Sequence, residues 1–205
     1  MGECGRGVLL KTLPALMTLV LAACATTELT KTWRSPEYTG PALKKLLVVG
    51  VSRQPAVRRE FEDTFVKQLK ASGAAAVASY TLIPEPGPVD ASRLAQAVKQ
   101  AGADGMLITR LVLADADTQF TPAFRPTAAT ELPDGYSAAW SGYHEPAASS
   151  QPETVILETD LYGIGESQHL WSGTTQTFAT AAHIQDDIQG FARIIIGALE
   201  KQKLI

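Results

Sequence analysis

The sequence predicts one α/β domain with a mixed sheet, in which a parallel core is extended by a carboxyl-terminal antiparallel hairpin and helices pack on the sheet. Three observations lead to this prediction. Residues 45–113 alternate short apolar runs with amphipathic segments, an order that favours right-handed crossovers between parallel strands. Residues 155–178 form two β-prone runs around a glycine-containing turn, which is typical of a hairpin. Residues 184–204 repeat apolar side chains at helical spacing.

Composition excludes several classes of protein. Of the 205 residues, 45% are hydrophobic and 19% are charged, which is too apolar for a disordered chain. Two cysteines are too few for a disulfide scaffold. A net charge of -3 lacks the basic excess of most nucleic-acid-binding proteins. We therefore expect a single domain over residues 44–205 and no nucleic-acid partner.

The first predicted strand and helix follow each other directly. Residues 45–51 form a continuous apolar run, which suits a central strand covered on both faces. Apolar side chains then recur every four positions from Val57 to Leu69, so an amphipathic helix is predicted. Charged residues, among them Arg58 and Glu62, occupy its other faces.

A second βαβ unit is predicted next. Residues 75–83 form an alanine-rich strand that ends at the prolines within residues 84–88. Asp90 is placed to cap a helix at its amino terminus, and Gly102 to end it in a left-handed conformation. Residues 105–113 then form a third apolar strand.

The pattern changes at residues 114–153, which contain five prolines and five aromatic residues. A long irregular insertion is predicted there, and such segments are often functional. Tyr136, Trp140 and Tyr143 are candidate contacts for a partner or ligand, because aromatic side chains are common interface anchors. The alternative is that these rings cover an edge of the sheet.

The last elements are an antiparallel pair and a helix. Residues 155–162 alternate, with Glu158 and Asp160 on a face that is expected to be wet. Residues 169–178 are the returning strand. The final helix is predicted over residues 184–204, with acidic residues in its first turn and lysines in its last.

No catalytic or metal-binding motif stands out. The three histidines, His144, His169 and His183, share no metal-binding spacing and are expected to be surface or capping residues. Ser52, at the end of the first strand, is expected to satisfy nearby backbone donors. There is no Gly-x-Ser-x-Gly elbow. A Ser-His-Asp triad assembles in space and would escape this search. We predict no metal, no cofactor and no enzymatic activity.

The amino terminus has the features of an export signal. Two basic residues precede the short apolar stretch at residues 13–23, which is far shorter than the roughly 20 residues that span a bilayer as a helix. The stretch ends in Leu21-Ala22-Ala23-Cys24. This motif resembles the lipobox of bacterial lipoproteins, in which the cysteine is lipidated through its sulfur and becomes the first residue of the mature chain.

The resemblance implies a membrane anchor. Residues 1–23 would be a removed signal peptide, and Cys24 would carry a diacylglyceryl group and usually a third acyl chain, enough for stable anchoring. Ala25, where an Asp would mean inner-membrane retention, favours the outer membrane, with the domain facing the periplasm. Removal of the signal takes away two basic residues and one acid, which changes the net charge from -3 to -4. Lipid, rather than a basic patch, would therefore hold the protein to the membrane.

Residues 24–43 are predicted to be a lipidated tether. Its polar residues 25–42 could extend about 60 Å at roughly 3.3–3.6 Å per residue. Trp33 is an exception in this polar segment. It is expected either to pack on the domain or to contact a partner or the membrane interface.

The order of elements behind the lipobox resembles a small α/β domain of envelope proteins, seen in the amino-terminal part of TolB, in the curli-secretion lipoprotein CsgG and in the polysaccharide-export lipoprotein PelC. The resemblance is one of layout and covers most of residues 44–204. The segments that carry it are Lys45–Val51, Arg58–Gly73, Gly102–Arg110, Val155–Gly163 with Leu170-Trp171-Ser172-Gly173, and the final helix. It implies a non-enzymatic role in envelope assembly or export, often as an oligomer, and carries over no binding residue.

Three hypotheses of function follow. The first is a lipoprotein that acts through contacts with envelope proteins or with copies of itself. No amphipathic hairpin pair that would build a transmembrane pore is evident in the sequence, so a channel is not expected. The second is a binding module for a small glycan or peptide, with Tyr136, Trp140 and Tyr143 as stacking surfaces. The third is a hydrolase whose site is assembled only in space.

Overall fold

A computed structural model shows a six-stranded mixed sheet with helices on both faces. It describes residues 27–114, 131–143, 154–165, 168–178 and 184–205. The strands are β1 (Thr27–Arg34), β2 (Lys45–Val51), β3 (Ala75–Ala78), β4 (Gly105–Ala114), β5 (Thr154–Gly163) and β6 (His169–Phe178). The helices are α1 (Pro55–Ala71), α2 (Ala91–Ala101), α3 (Leu132–Ser141) and α4 (Ile184–Lys201), with a short 3₁₀ turn at Ser79–Thr81.

The strand order confirms the predicted fold class. The order across the sheet is β1-β6-β5-β4-β2-β3. Strand β2 pairs in parallel with β3 and β4, whereas the β4–β5, β5–β6 and β1–β6 pairs are antiparallel. The parallel core and the β5–β6 hairpin are therefore both present, and β1 lies at one edge.

Both faces of the sheet are buried, which explains why β2 reads as a continuous apolar run. Leu46 and Val48 face a core formed with α1 and α4. Leu47 and Val49, on the opposite side of the strand, face a second core formed with α2 and α3. Because successive side chains of a strand point to opposite faces, a strand covered on both sides needs apolar residues at every position.

The segment predicted to be a tether contains a strand. Residues 27–34 form β1, whereas residues 24–26 lie outside the described part of the chain. Three threonines in the segment from Thr27 to Arg34 are polar but β-branched, and such residues suit a half-exposed strand at the edge of a sheet. Polarity alone therefore gave the wrong expectation for this stretch. Trp33 packs on the domain, which is one of the two outcomes expected for it from the sequence.

The predicted insertion contains helix α3, and its residues 115–130 and 144–153 lie outside the described part of the chain. Pro133 lies in the first turn of α3, where a missing N–H costs no helical hydrogen bond. Because prolines were taken to interrupt helices, α3 was not predicted from the sequence. A Cβ added to Gly135 would come within 2.2 Å of the Tyr162 hydroxyl oxygen. Only glycine allows α3 to approach the sheet this closely.

Two further expectations are corrected. Strand β3 ends at Ala78, before the 3₁₀ turn, because the backbone N–H of Tyr80 binds the Glu62 carboxylate. The face of β5 that was expected to be wet is largely buried: Asp160 is 4% exposed and Tyr162 is fully buried. Helix α3 packs against this face through Gly135 and excludes most of the bulk solvent from it.

Candidate functional site

A buried polar cluster lies where β5 and β6 pair. It consists of Asp160, His169 and Ser172, which are 4%, 5% and 1% exposed. The antiparallel register places Asp160 opposite Ser172, so both side chains point to the same face of the sheet. His169 reaches them from the first position of β6, next to a register shift between Leu161 and Tyr162. We call these three residues the Asp–His–Ser cluster.

The hydrogen bonds in the Asp–His–Ser cluster differ from those of a nucleophilic triad. The Ser172 hydroxyl donates to Asp160 Oδ1. His169 Nε2 lies 2.9 Å from Ser172 Oγ, 3.1 Å from Asp160 Oδ1 and 3.1 Å from the Trp171 carbonyl oxygen. A triad places the hydroxyl and the carboxylate on opposite ring nitrogens, so that the imidazole relays a proton between them. Here both groups meet one nitrogen, and the arrangement joins β5 to β6 without forming that relay.

Two aromatic rings enclose the imidazole of His169. The Trp33 ring centroid lies 4.9 Å from it and the Tyr162 centroid 4.8 Å from it, the latter in a stacked arrangement. His169 is therefore buried, and the expectation of a surface or capping histidine was wrong. Trp33 in turn links the edge strand β1 to the hairpin.

An ion pair lies beside this cluster on the same face of the sheet. Arg110 on β4 donates to the carboxylate of Glu158 on β5, and both side chains are 14% exposed. Burial raises the pKa of Glu158, and the nearby Asp160 charge raises it further, against the opposing effect of Arg110. A Cβ on Gly142 would overlap Arg110 Nη1, so the guanidinium lies against the carboxyl end of α3. A cation is favoured there by the helix dipole, and Arg110 thus ties α3 to the sheet.

A second buried cluster lies at the carboxyl ends of β2 and β3. Glu62 accepts hydrogen bonds from Gly50 N at 3.0 Å, Arg58 Nε at 2.9 Å, Ser79 Oγ at 2.8 Å and Tyr80 N at 2.9 Å. Arg58 also donates from Nη2 to Ser79 Oγ at 2.8 Å. Arg58 and Glu62 are therefore buried, at 4% and 0% exposure, although both are charged. Ligands of α/β proteins commonly bind at this end of parallel strands, but here these polar groups bind one another.

The aromatic residues predicted as contacts in the insertion face the core. Tyr136 and Trp140 on α3 are 4% and 9% exposed, and Tyr143 packs at 6.1 Å from the Trp140 ring. The Tyr136 hydroxyl accepts a hydrogen bond from the Val89 N–H at 3.3 Å. Burial raises the pKa of Tyr136. In this structure the rings of Tyr136 and Trp140 cover the sheet, and they do not offer stacking faces to solvent.

The other sequence candidates are placed as follows. Ser52 Oγ accepts a hydrogen bond from the Gln54 N–H at 3.1 Å, as expected for a residue that satisfies backbone donors. Cys24, His144 and His183 lie outside the described residues.

Within the described ranges, no group of three or more His, Cys, Asp or Glu side chains is arranged to hold a metal ion. The helices of that same part of the chain are all too short or too polar to cross a membrane.

The sequence contains a signal for one of these clusters. Pairing residues 155–162 with residues 169–178 as a hairpin brings Asp160 close to Ser172 once the register is known. The register depends on the irregular start of β6, which the hydrophobic pattern does not show. For the second cluster, the four-residue spacing of Arg58 and Glu62 is visible, but their burial against β2 and the Ser79 turn is not.

Comparison with known proteins gives structural neighbours only. No family model matches the chain, and no curated protein sequence matches it. A PelC dodecamer from Paraburkholderia phytofirmans has 14% sequence identity and a TM-score of 0.41, covering 80% of this chain and 89% of that one. A single-substitution variant of the same protein gives the same identity and TM-score, covering 78% of this chain and 90% of that one.

Proposed function

We propose that this protein is a lipid-anchored component of the bacterial envelope that acts through protein contacts and not as an enzyme. Acyl chains on Cys24 hold it in the outer membrane, and its domain faces the periplasm. The observation that carries the proposal is the motif Leu21-Ala22-Ala23-Cys24 at the end of a basic and then apolar leader. The mature chain then has no cysteine other than Cys24, and we assign this single thiol to lipid attachment.

The buried polar clusters support a structural role for the side chains that could otherwise do chemistry. Asp160, His169 and Ser172 bind one another between β5 and β6. The carboxylate of Glu62 is surrounded by four protein donors, including Arg58. Buried polar groups that are hydrogen-bonded to one another in this way hold neighbouring strands and helices together. Each of them would cost free energy if it were left unpaired.

Strand β1 supplies a surface for protein contacts. In the described sheet it pairs only with β6, so the backbone groups on its outer edge point away from the sheet. An edge strand of this kind is a template for adding a strand from another chain. Its exposed side chains are polar, which keeps the edge soluble when it is unoccupied. We assign this edge to an envelope partner or to a second copy of the chain.

Lipidation is tested by metabolic labelling in a Gram-negative host with an alkyne analogue of palmitate. We expect the wild-type protein and a Cys4→Ser variant to incorporate the label, because Cys4 leaves with the signal peptide. A Cys24→Ser variant is expected to incorporate none. Equal labelling of the Cys24→Ser variant, or no labelling of the wild type, would contradict the proposal.

The contact surface is tested by photo-crosslinking in intact cells. A photoreactive residue replaces Thr32, which is exposed on β1, and in a control it replaces Lys67, which is exposed on α1. We expect a discrete adduct from position 32 and none from position 67. Its mass distinguishes a second copy from another protein. The absence of any adduct at position 32 would argue against protein contacts through this edge.

A further inference from the structure

The described domain begins very close to the proposed anchor. Strand β1 starts at Thr27, three residues after Cys24. Three consecutive Cα–Cα steps of 3.8 Å span at most about 11 Å. The tether predicted from sequence reached about five times farther. If Cys24 carries lipid, as proposed above and as this inference requires, the start of β1 lies within about 11 Å of the anchored residue.

The sheet register shows which other residues share that end. Thr27 pairs with Thr177 near the end of β6, and Thr154 at the start of β5 pairs with Phe178. We call the end of the sheet at Thr27, Thr154 and Phe178 the proximal end. The opposite, distal end holds Gly165, in the turn after β5, and the segment that follows β1.

We propose that the proximal end faces the lipid head groups, so that β1, β5 and β6 rise away from the membrane surface. The alternative is that the long edge of β1 lies flat on the bilayer. Among the described residues, the one exposed large hydrophobic side chain is Val57, on α1, so no apolar patch draws that edge into the lipid. The mature net charge of -4 also disfavours broad contact with anionic lipid.

The orientation leaves the outer edge of β1 exposed to the periplasm along its length. Its eight residues span about 23 Å at roughly 3.3 Å per residue. A partner strand would then add perpendicular to the membrane surface. The membrane itself is thus a second partner of this domain, reached through one end of the sheet.

The test uses the full-length lipidated protein reconstituted in vesicles of phosphatidylethanolamine and phosphatidylglycerol that carry a nitroxide quencher on the head group. Glu28 and Glu37 are matched exposed acids near the proximal and distal ends of β1. Each is replaced singly by cysteine and labelled with a small fluorophore, since the mature chain has no other free thiol. With about 23 Å between the two ends of β1, we expect at least about twofold stronger quenching at position 28 than at position 37. A second pair, Thr154→Cys and Gly165→Cys, should show the same order.

A control lengthens the connection. Twelve Gly and Ser residues inserted between Thr26 and Thr27 should remove the difference between positions 28 and 37, because the domain is then free to reorient. Equal quenching at these two positions in the short-tethered protein would overturn the proposed orientation. The intact mass of each sample reports acylation separately. An unacylated chain would refute the proposed function, and an acylated chain with equal quenching would refute only the orientation.

Discussion

Removal of the Glu62 carboxylate is predicted to destabilise the protein strongly. The side chain is fully buried and accepts hydrogen bonds from Gly50, Arg58, Ser79 and Tyr80. A Glu62→Ala substitution leaves the Arg58 guanidinium buried without its counter-ion, a change that typically costs about 3–5 kcal/mol. Neutral donors left unpaired, such as Tyr80 N, add about 1–3 kcal/mol each where water does not replace the carboxylate. We therefore expect a loss of at least about 3 kcal/mol in the free energy of unfolding.

The assay is urea unfolding of the purified protein, followed by circular dichroism. Glu200→Ala is the matched control, because it removes an exposed carboxylate from a helix and should change the free energy of unfolding by no more than about 0.5 kcal/mol. Adding Arg58→Ala to Glu62→Ala should cost less than the sum of the two single changes, since no buried charge then remains. A cost below about 1 kcal/mol for Glu62→Ala would refute the assignment of Glu62 as the centre of this cluster.

Two further predictions concern helix α3 and the ion pair beside the Asp–His–Ser cluster. Gly135→Ala should destabilise the protein by about 1–3 kcal/mol, because its Cβ meets the buried Tyr162 ring, whereas Gly197→Ala in α4 has open space and should stabilise by about 0.5–1 kcal/mol. Thermal unfolding of both variants measures these opposite signs, and equal signs would contradict the packing of α3. The pKa of Glu158 is raised in the folded protein, so its contribution to stability is greatest below the unfolded value of 4.5 and falls as pH rises through the folded value. Relative to the wild type, Glu158→Gln should thus gain stability from pH 4.5 towards pH 7 in urea titrations, and a constant difference would contradict the raised pKa.

The parallel core could be predicted because its signals are local. The continuous apolar run of β2 and the spacing of α1 each identify an element without knowledge of its neighbours. Asp90 and Gly102 mark the ends of α2 as predicted, with Asp90 accepting from the Arg93 N–H and Gly102 in the left-handed conformation. Interactions between residues that are close in sequence are therefore sufficient to predict such elements.

The missed features depend on contacts between distant parts of the chain. The edge strand β1 is polar because every second side chain along it is exposed to solvent, so its sequence resembles a linker. Helix α3 is short, begins with a proline and contains Gly135, whose value is apparent only from the adjacent Tyr162. Whether such an element is buried depends on the elements that it packs against and not on its own composition.

The candidate clusters were hidden for the same reason. Asp160 and Ser172 are separated by 12 positions and meet through the hairpin register, while Trp33 reaches His169 from the other end of the chain. The lipidation motif, by contrast, is contiguous, so Cys24 is a candidate from sequence alone. It stays a prediction until the mature chain is analysed.

The most direct test of the proposed function is therefore the intact mass of the mature protein extracted from the envelope of a Gram-negative host. We predict a chain that begins at Cys24 and carries the added mass of a diacylglyceryl group, with or without a further amide-linked acyl chain. A chain that retains residues 1–23, or one cleaved elsewhere with an unmodified Cys24, would contradict the membrane anchor and the role that we build on it.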